Sequence, residues 1–212
     1  ALLQALQANF DGAEKLRQTL WNKTPFFGND DERADAIMRR VYDSLFTAID
    51  GKANTNGTVY HLNMLSTTCH VYFGKMLGAT PNGRFAHLPM SDGTSPSQGC
   101  DRKGPTAVIK SLSKMDQIKS GGTLLNQRFL PSVLASEQDL DKLCSLVRTY
   151  FSLGGHHVQF NVVDTNTLKL AQQHPDDYRN LLVRVAGYSD YFVDLDKDHQ
   201  EEIISRTEQE LG

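Results

Sequence analysis

The run Val183-Arg184-Val185-Ala186-Gly187-Tyr188-Ser189-Asp190-Tyr191-Phe192 sets one glycine in a short apolar stretch, and hydrophobic residues resume after it through Val193 and Leu195. Solvated turns gather Pro, Asn, Asp and Ser around their glycine. Here Ala186 and Tyr188 flank it, so the composition predicts a glycine bound for a packed interior. Two readings fit these residues. In one, Gly187 is kept for a positive φ or for close approach of its backbone to a neighbour. In the other, the missing side chain is itself the chemistry. A radical on a glycine Cα is stabilised jointly by the amide nitrogen and the carbonyl, and with no Cβ the centre can flatten.

The segment Arg184-Val185-Ala186-Gly187-Tyr188-Ser189 resembles the C-terminal signature of the glycyl radical enzymes, and like that signature it lies near the chain end before a polar helix. Upstream, Asn54 to Arg84, Gly93 to Pro96, Gly104 to Ser111 and Gly121 to Gln127 resemble the dehydratase and lyase branch of the same family, in the same order. Separated blocks in order are far more specific than one hexapeptide.

The resemblance implies an α/β fold, the C-terminal portion of a β/α barrel with the glycyl radical loop inserted into its interior. Residues 1–150 would belong to the barrel and 151–212 to the glycine radical domain. It implies a radical at Gly187, installed by a radical S-adenosylmethionine activating enzyme, with Arg184, Val185, Ala186, Tyr188 and Ser189 as the radical loop. No permanently bound cofactor or metal is implied. The family also uses an upstream cysteine in a Gly-Cys-x-Glu setting, and that setting is absent: Cys69 precedes His70, Cys100 precedes Asp101 and Cys144 precedes Ser145. The chain is therefore expected to be part of a longer enzyme, with the upstream remainder as partner and a homodimer as the full assembly. In the implied reaction Gly187 passes its radical to that cysteine, the thiyl takes a hydrogen from substrate, and a carboxylic acid assists loss of the leaving group. Anaerobic dehydration of trans-4-hydroxy-L-proline is the first expectation. The alternatives are a glycerol or propanediol dehydratase, another C–O, C–N or C–S lyase, or a non-catalytic carrier of the glycyl radical. No arginine occurs between Tyr60 and Phe73 to clamp a sulfonate, which weighs against an isethionate-type lyase.

Composition adds boundaries. The 212 residues carry a net charge of -3 and 39% hydrophobic residues, which gives no reason to propose nucleic acid or a membrane surface as partner. No apolar run is long enough to span a bilayer. Three widely separated cysteines without a C-x-x-C pair suit a reducing compartment, so the cytoplasm is expected, with a bacterial microcompartment as the alternative.

In chain order, apolar spacing predicts a short helix pair before Trp21, a helix from Asp30 to Ile49 with Ala34, Ile37, Met38, Val41, Leu45, Phe46 and Ile49 on its apolar face, and extended chain from Thr58 to Phe73. The polar side chains of that last stretch fit either a hydrogen-bonded polar core layer or a ligand cavity; the resemblance implies that it lies beside the substrate, with Thr67 and Cys69 on one face and Thr68 and His70 on the other. Leu124 to Phe129 reads as a strand, and Leu140 to Phe151 as a helix with Leu140, Leu143, Cys144 and Val147 inward, which makes Cys144 a core residue. His156 and His157 head a buried strand, where adjacent side chains diverge and chelate poorly, so satisfied buried imidazoles are expected. Asp164 is a candidate cap for a helix over 165–173. The last helix, about Lys197 to Glu210, is expected on the surface, anchored by Ile203 and Ile204. Arg184 and Asp190 should position the glycine loop, each paired if buried.

Overall fold

The computed structural model describes residues 1–211. Five helices come first: α1 (Leu2–Gln7), α2 (Glu14–Lys23), α3 (Glu32–Ile49), α4 (Cys69–Met76) and α5 (Pro105–Ser113). Strand β1 (Leu125–Phe129), helix α6 (Glu137–Ser152) and strand β2 (Val158–Val162) then form a crossover unit. After α7 (Thr165–Gln173) the chain makes a hairpin of β3 (Leu182–Arg184) and β4 (Ser189–Tyr191), followed by α8 (Lys197–Ser205) and β5 (Glu208–Gln209). The main sheet is parallel, in the order β2-β1-β5. Helices joining parallel strands make this an α/β architecture.

The register of this sheet decides where chemistry can lie. Leu125 pairs with Val158, Gln127 with Phe160 and Phe129 with Val162, while Asn126 pairs with Gln159 and Arg128 with Asn161. Side chains alternate across a sheet, so one face is mostly apolar and the other wholly polar. Leu125, Phe129, Val158 and Phe160 of the apolar face pack with Val108, Ile109 and Leu112 of α5 and with Leu146 and Tyr150 of α6. Each large side chain fully buried there contributes roughly 1.5–3 kcal/mol. A second core of Val163, Leu168, Ala171, Val183, Val185, Phe192 and Ile203 clamps the hairpin between α7 and α8.

Local signals place the helices well. Ser136 and Asp139 form a reciprocal capping box on α6, and Asp164 caps α7 through the Thr167 N–H at 2.7 Å. The phase of α6 differs from expectation. Leu146 and Tyr150 point inward, with Leu140 and Cys144 exposed, because the Tyr150 hydroxyl donates to Gln117 Oε1 at 3.0 Å and fixes the helix rotation. Cys144 is therefore a surface thiol. On α3 the buried residues are Asp35 and Tyr42, and Asp35 accepts from Ser111 and Lys114. Its apolar row Ile37, Val41 and Leu45 faces outward, about half exposed.

The stretch from Thr58 to Phe73 is extended only in its first part. Met64 forms a single parallel bridge with Thr123. Thr67 then takes a φ of +49° and Thr68 becomes the N-cap of α4. Cys69 to Phe73 are helical, burying His70, Val71 and Gly74 in place of alternate residues. Gly74 lies hard against the next loop: a Cβ there would clash with the Leu88 carbonyl oxygen. Gly74→Ala is expected to cost about 1–3 kcal/mol by overpacking, read as a lowered thermal midpoint; an unchanged midpoint would mean that the 88–89 backbone yields freely. The final helix also ends early, at Ser205. The free edge of β1 recruits Glu208 and Gln209 as a third strand instead.

Candidate active site: the Gly187 hairpin

Strands β3 and β4 pair antiparallel with Arg184 opposite Ser189, and Val185 N–H closes the loop onto the Tyr188 carbonyl at 2.9 Å. Ala186 and Gly187 form the apex. Gly187 has a φ of +89°, the left-handed region that type II turns require at their third position and that glycine enters without steric penalty. Space is not the constraint, since a Cβ at Gly187 would meet Leu124 Cδ1 at 3.5 Å, an ordinary contact. Val185, Ala186 and Phe192 are buried, but Gly187 and Ser189 are exposed and Tyr188 and Tyr191 are about two-fifths exposed. The packed setting expected around the glycine is thus only half supplied by this chain.

The polar face of the sheet grips this apex from beneath. Asn161 bonds the Arg184 backbone twice, donating to its carbonyl at 2.8 Å and accepting its N–H at 2.7 Å. The Val185 carbonyl accepts from Asn126 Nδ2 at 3.2 Å and from Arg206 Nη2 at 2.8 Å. Arg206 Nη1 reaches the Arg184 carbonyl at 3.0 Å. Gln159 Oε1 accepts the Gly187 N–H at 3.2 Å and the Arg184 guanidinium at 2.9 Å. Arg184 thus bonds Gln159 and, at 3.0 Å, Ser189 Oγ within the same hairpin. Asp190 caps the Tyr191 N–H at 2.8 Å.

Behind Arg206 lies a buried charge cluster. Glu202 pairs with it at 2.7 Å, His70 Nε2 approaches Glu202 at 3.6 Å, and Gln98 donates to Glu202 at 3.0 Å. Asp92, also buried, accepts from Asn126 Nδ2. Burial opposes ionisation of both acids. For Glu202 the adjacent Arg206 and His70 outweigh it and hold the carboxyl down at about 2, whereas burial prevails at Asp92 and raises it. The stability that Glu202 contributes is therefore complete above 4.5 and lost as pH falls toward about 2.

Asp101 fastens the last strand by accepting from Thr207 and Gln209. Burial pushes its carboxyl from 3.8 up to about 6. A raised acid binds its proton more tightly when folded, so this residue makes stability fall as pH rises from about 3.8 to about 6. Asp101→Asn is expected to flatten that part of the stability–pH curve, measured as thermal midpoints across the window; an unaltered slope would show that Asp101 does not titrate there.

The residues expected to line a substrate separate. Thr67 Oγ1 folds back on the Ser66 carbonyl at 2.7 Å, Thr68 sits at the N-cap position of α4 without a side-chain capping bond, Cys69 is exposed, and His70 turns into the cluster behind the hairpin. His156 is exposed and His157 half-buried with Nδ1 unpartnered, in place of two satisfied imidazoles. Among the described residues no three His, Cys, Asp or Glu side chains converge as a metal site, and no helix is long and apolar enough to cross a membrane. A cavity of about 470 Å³ between α8 and the 82–89 loop, lined by Trp21, Phe85, Leu88 and Glu202, takes in none of the hairpin. Sequence reasoning missed Asn126, Gln159, Asn161, Glu202 and Arg206. Polar residues two apart in both β1 and β2 were the available signal.

A glycine at the apex of a pinned hairpin, set against the polar face of a parallel sheet, defines a class. Residues 90–193 match the glycine radical family and residues 1–74 the pyruvate formate lyase-like family, and the chain belongs to the glycyl radical enzymes as their C-terminal part. Among individual relatives, it is 54% identical over 208 residues to the trans-4-hydroxy-L-proline dehydratase of Clostridioides difficile, covering 98% of this chain and 26% of that protein. The crystal structure of that dehydratase with trans-4-hydroxy-L-proline bound superposes with a TM-score of 0.96 over 99% of this chain and 26% of the other. The glycerol-bound B12-independent glycerol dehydratase of Clostridium butyricum gives 0.93 at 43% identity, over 99% of this chain and 27% of its own. The isethionate sulfite-lyase of Bilophila wadsworthia is 42% identical over 97% of the chain and 25% of its length. The chain thus spans about a quarter of the relatives it matches, with a glycyl radical as the organic radical of the family.

Proposed function

We propose that Gly187 carries the radical of an anaerobic dehydratase whose substrate is trans-4-hydroxy-L-proline. The observation that carries this reading is the hairpin itself. Both carbonyls before the apex and the glycine N–H are held by rigid strand side chains, which leaves an exposed glycine as the presented group. The 54% identity to a hydroxyproline dehydratase, against 43% or less for the glycerol and isethionate enzymes, favours the substrate.

In this proposal a radical S-adenosylmethionine activase removes a Gly187 Cα hydrogen, and the upstream remainder supplies the cysteine that works on substrate. That remainder also covers the exposed glycine and excludes water and oxygen. The outward row Ile37, Val41 and Leu45 on α3 offers it an apolar surface to pack on. The partition into 1–150 and 151–212, the homodimer and a cytoplasmic setting belong to the same proposal. A match reaching back to residue 1 is more than a radical carrier alone requires.

The test is anaerobic turnover. Full-length enzyme activated with S-adenosylmethionine and its activase should consume trans-4-hydroxy-L-proline and leave glycerol, propane-1,2-diol and isethionate untouched. Turnover of one of the latter three in its place would overturn the substrate and keep the class.

A further inference from the structure

Resting on Gly187 as the radical residue, we propose that Gln159 is a positioning residue for the radical: its side-chain oxygen accepts the Gly187 N–H, fixes the peptide on the nitrogen side of the centre and sets how much spin that nitrogen takes. Gln159 is 5% exposed and projects from β2, with Asn126 as its register partner on β1. Its Oε1 accepts from Gly187 N at 3.2 Å, Arg184 Nε at 3.2 Å and Arg184 Nη2 at 2.9 Å. Its Nε2 donates to Asn126 Oδ1 and, at 3.4 Å, to the Val185 carbonyl.

This pattern admits one orientation of the amide. Turned over, Nε2 would face three donors and Oε1 two acceptors, an arrangement that leaves buried polar groups unpaired. The orientation is held from a second side by Asn126, which bonds Asp92 and the same Val185 carbonyl. Gln159 is thus a fixed acceptor on a rigid strand rather than an adaptable loop contact.

A fixed acceptor there has an electronic consequence. The Cα radical shares its spin with the adjacent nitrogen lone pair and carbonyl. An N–H engaged by an acceptor leaves its nitrogen more electron-rich and a better donor, which draws spin away from Cα. Removing the acceptor returns spin to Cα and widens the α-proton splitting of the radical. An anionic acceptor does the opposite. Because Arg184 shares Oε1, its positive charge moderates the acceptor, which ties the residue three before the glycine to the same effect.

The experiment is electron paramagnetic resonance on anaerobically activated full-length enzyme, comparing wild type with Gln159→Met and Gln159→Glu. Wild type should give a glycine-type doublet; its absence would count against Gly187 as the radical residue and is read separately. Given that doublet, Gln159→Met should widen the splitting and shorten the lifetime roughly 2- to 10-fold, the factor a net hydrogen bond corresponds to, and Gln159→Glu should narrow it. A merely structural role would lower the amount of folded enzyme and leave the splitting per radical unaltered. If Gln159→Met does not fold, the Gln159→Glu doublet decides alone. A wild-type splitting in the variants that fold overturns the proposal whatever their yield.

Discussion

Gly187→Ala is expected to give a folded enzyme that acquires no radical and has no turnover above background. The fold should tolerate the change at modest cost. The new Cβ would make ordinary contact with Leu124 Cδ1 at 3.5 Å, and the penalty is that of placing an L-residue at a φ of +89°, about 1–2 kcal/mol. Two measurements on one variant therefore separate the two meanings of this glycine. If Gly187 serves conformation alone, activity should track the small stability loss. If it carries the radical, the midpoint shifts by a few degrees and activity disappears entirely.

Arg206→Met should be the most destabilising change near the site. Its guanidinium bonds the Arg184 carbonyl at 3.0 Å and, fully buried, the Val185 carbonyl at 2.8 Å and Glu202 at 2.7 Å. Removing one partner of a buried ion pair strands the other charge, at about 3–5 kcal/mol, and here Glu202 is left with His70 at 3.6 Å. The hairpin loses its hold at the same time, so radical yield should fall with stability. Glu202→Gln in the same chain should recover part of the loss, because the uncompensated carboxylate is gone. A double-mutant cycle by denaturant unfolding checks this; strictly additive losses would contradict the pairing.

Much of the fold was legible from local pattern. Apolar spacing over 140–151 announced α6, Asp164 announced α7, and the 124–129 segment announced β1, because helical periodicity, caps and strand composition are short-range signals. The failures are equally physical. Thr58 to Phe73 has β-favouring residues, yet its second half forms α4, which sets Gly74 against the Leu88 carbonyl, a contact that no local pattern shows. Ile37, Val41 and Leu45 were correctly helical, but periodicity cannot say what an apolar face packs against, and in this chain it is left about half exposed. Glu202 and Arg206 read as surface charge, since nothing local shows that His70 and Asp92, more than a hundred residues earlier, meet them. Gly187 itself stood out because a family signature surrounds it. The Asn126–Gln159 ladder beneath it required the register of two parallel strands, which no single segment encodes.

The most direct measurement is to activate the full-length enzyme anaerobically, record its paramagnetic resonance, then admit air and map the chain by mass spectrometry. A glycine-type doublet followed by backbone cleavage at Gly187, both lost in Gly187→Ala, is the expected result. An intact chain and no doublet with an activase shown to be competent would contradict it, and Gly187 would be a glycine kept for its positive φ alone.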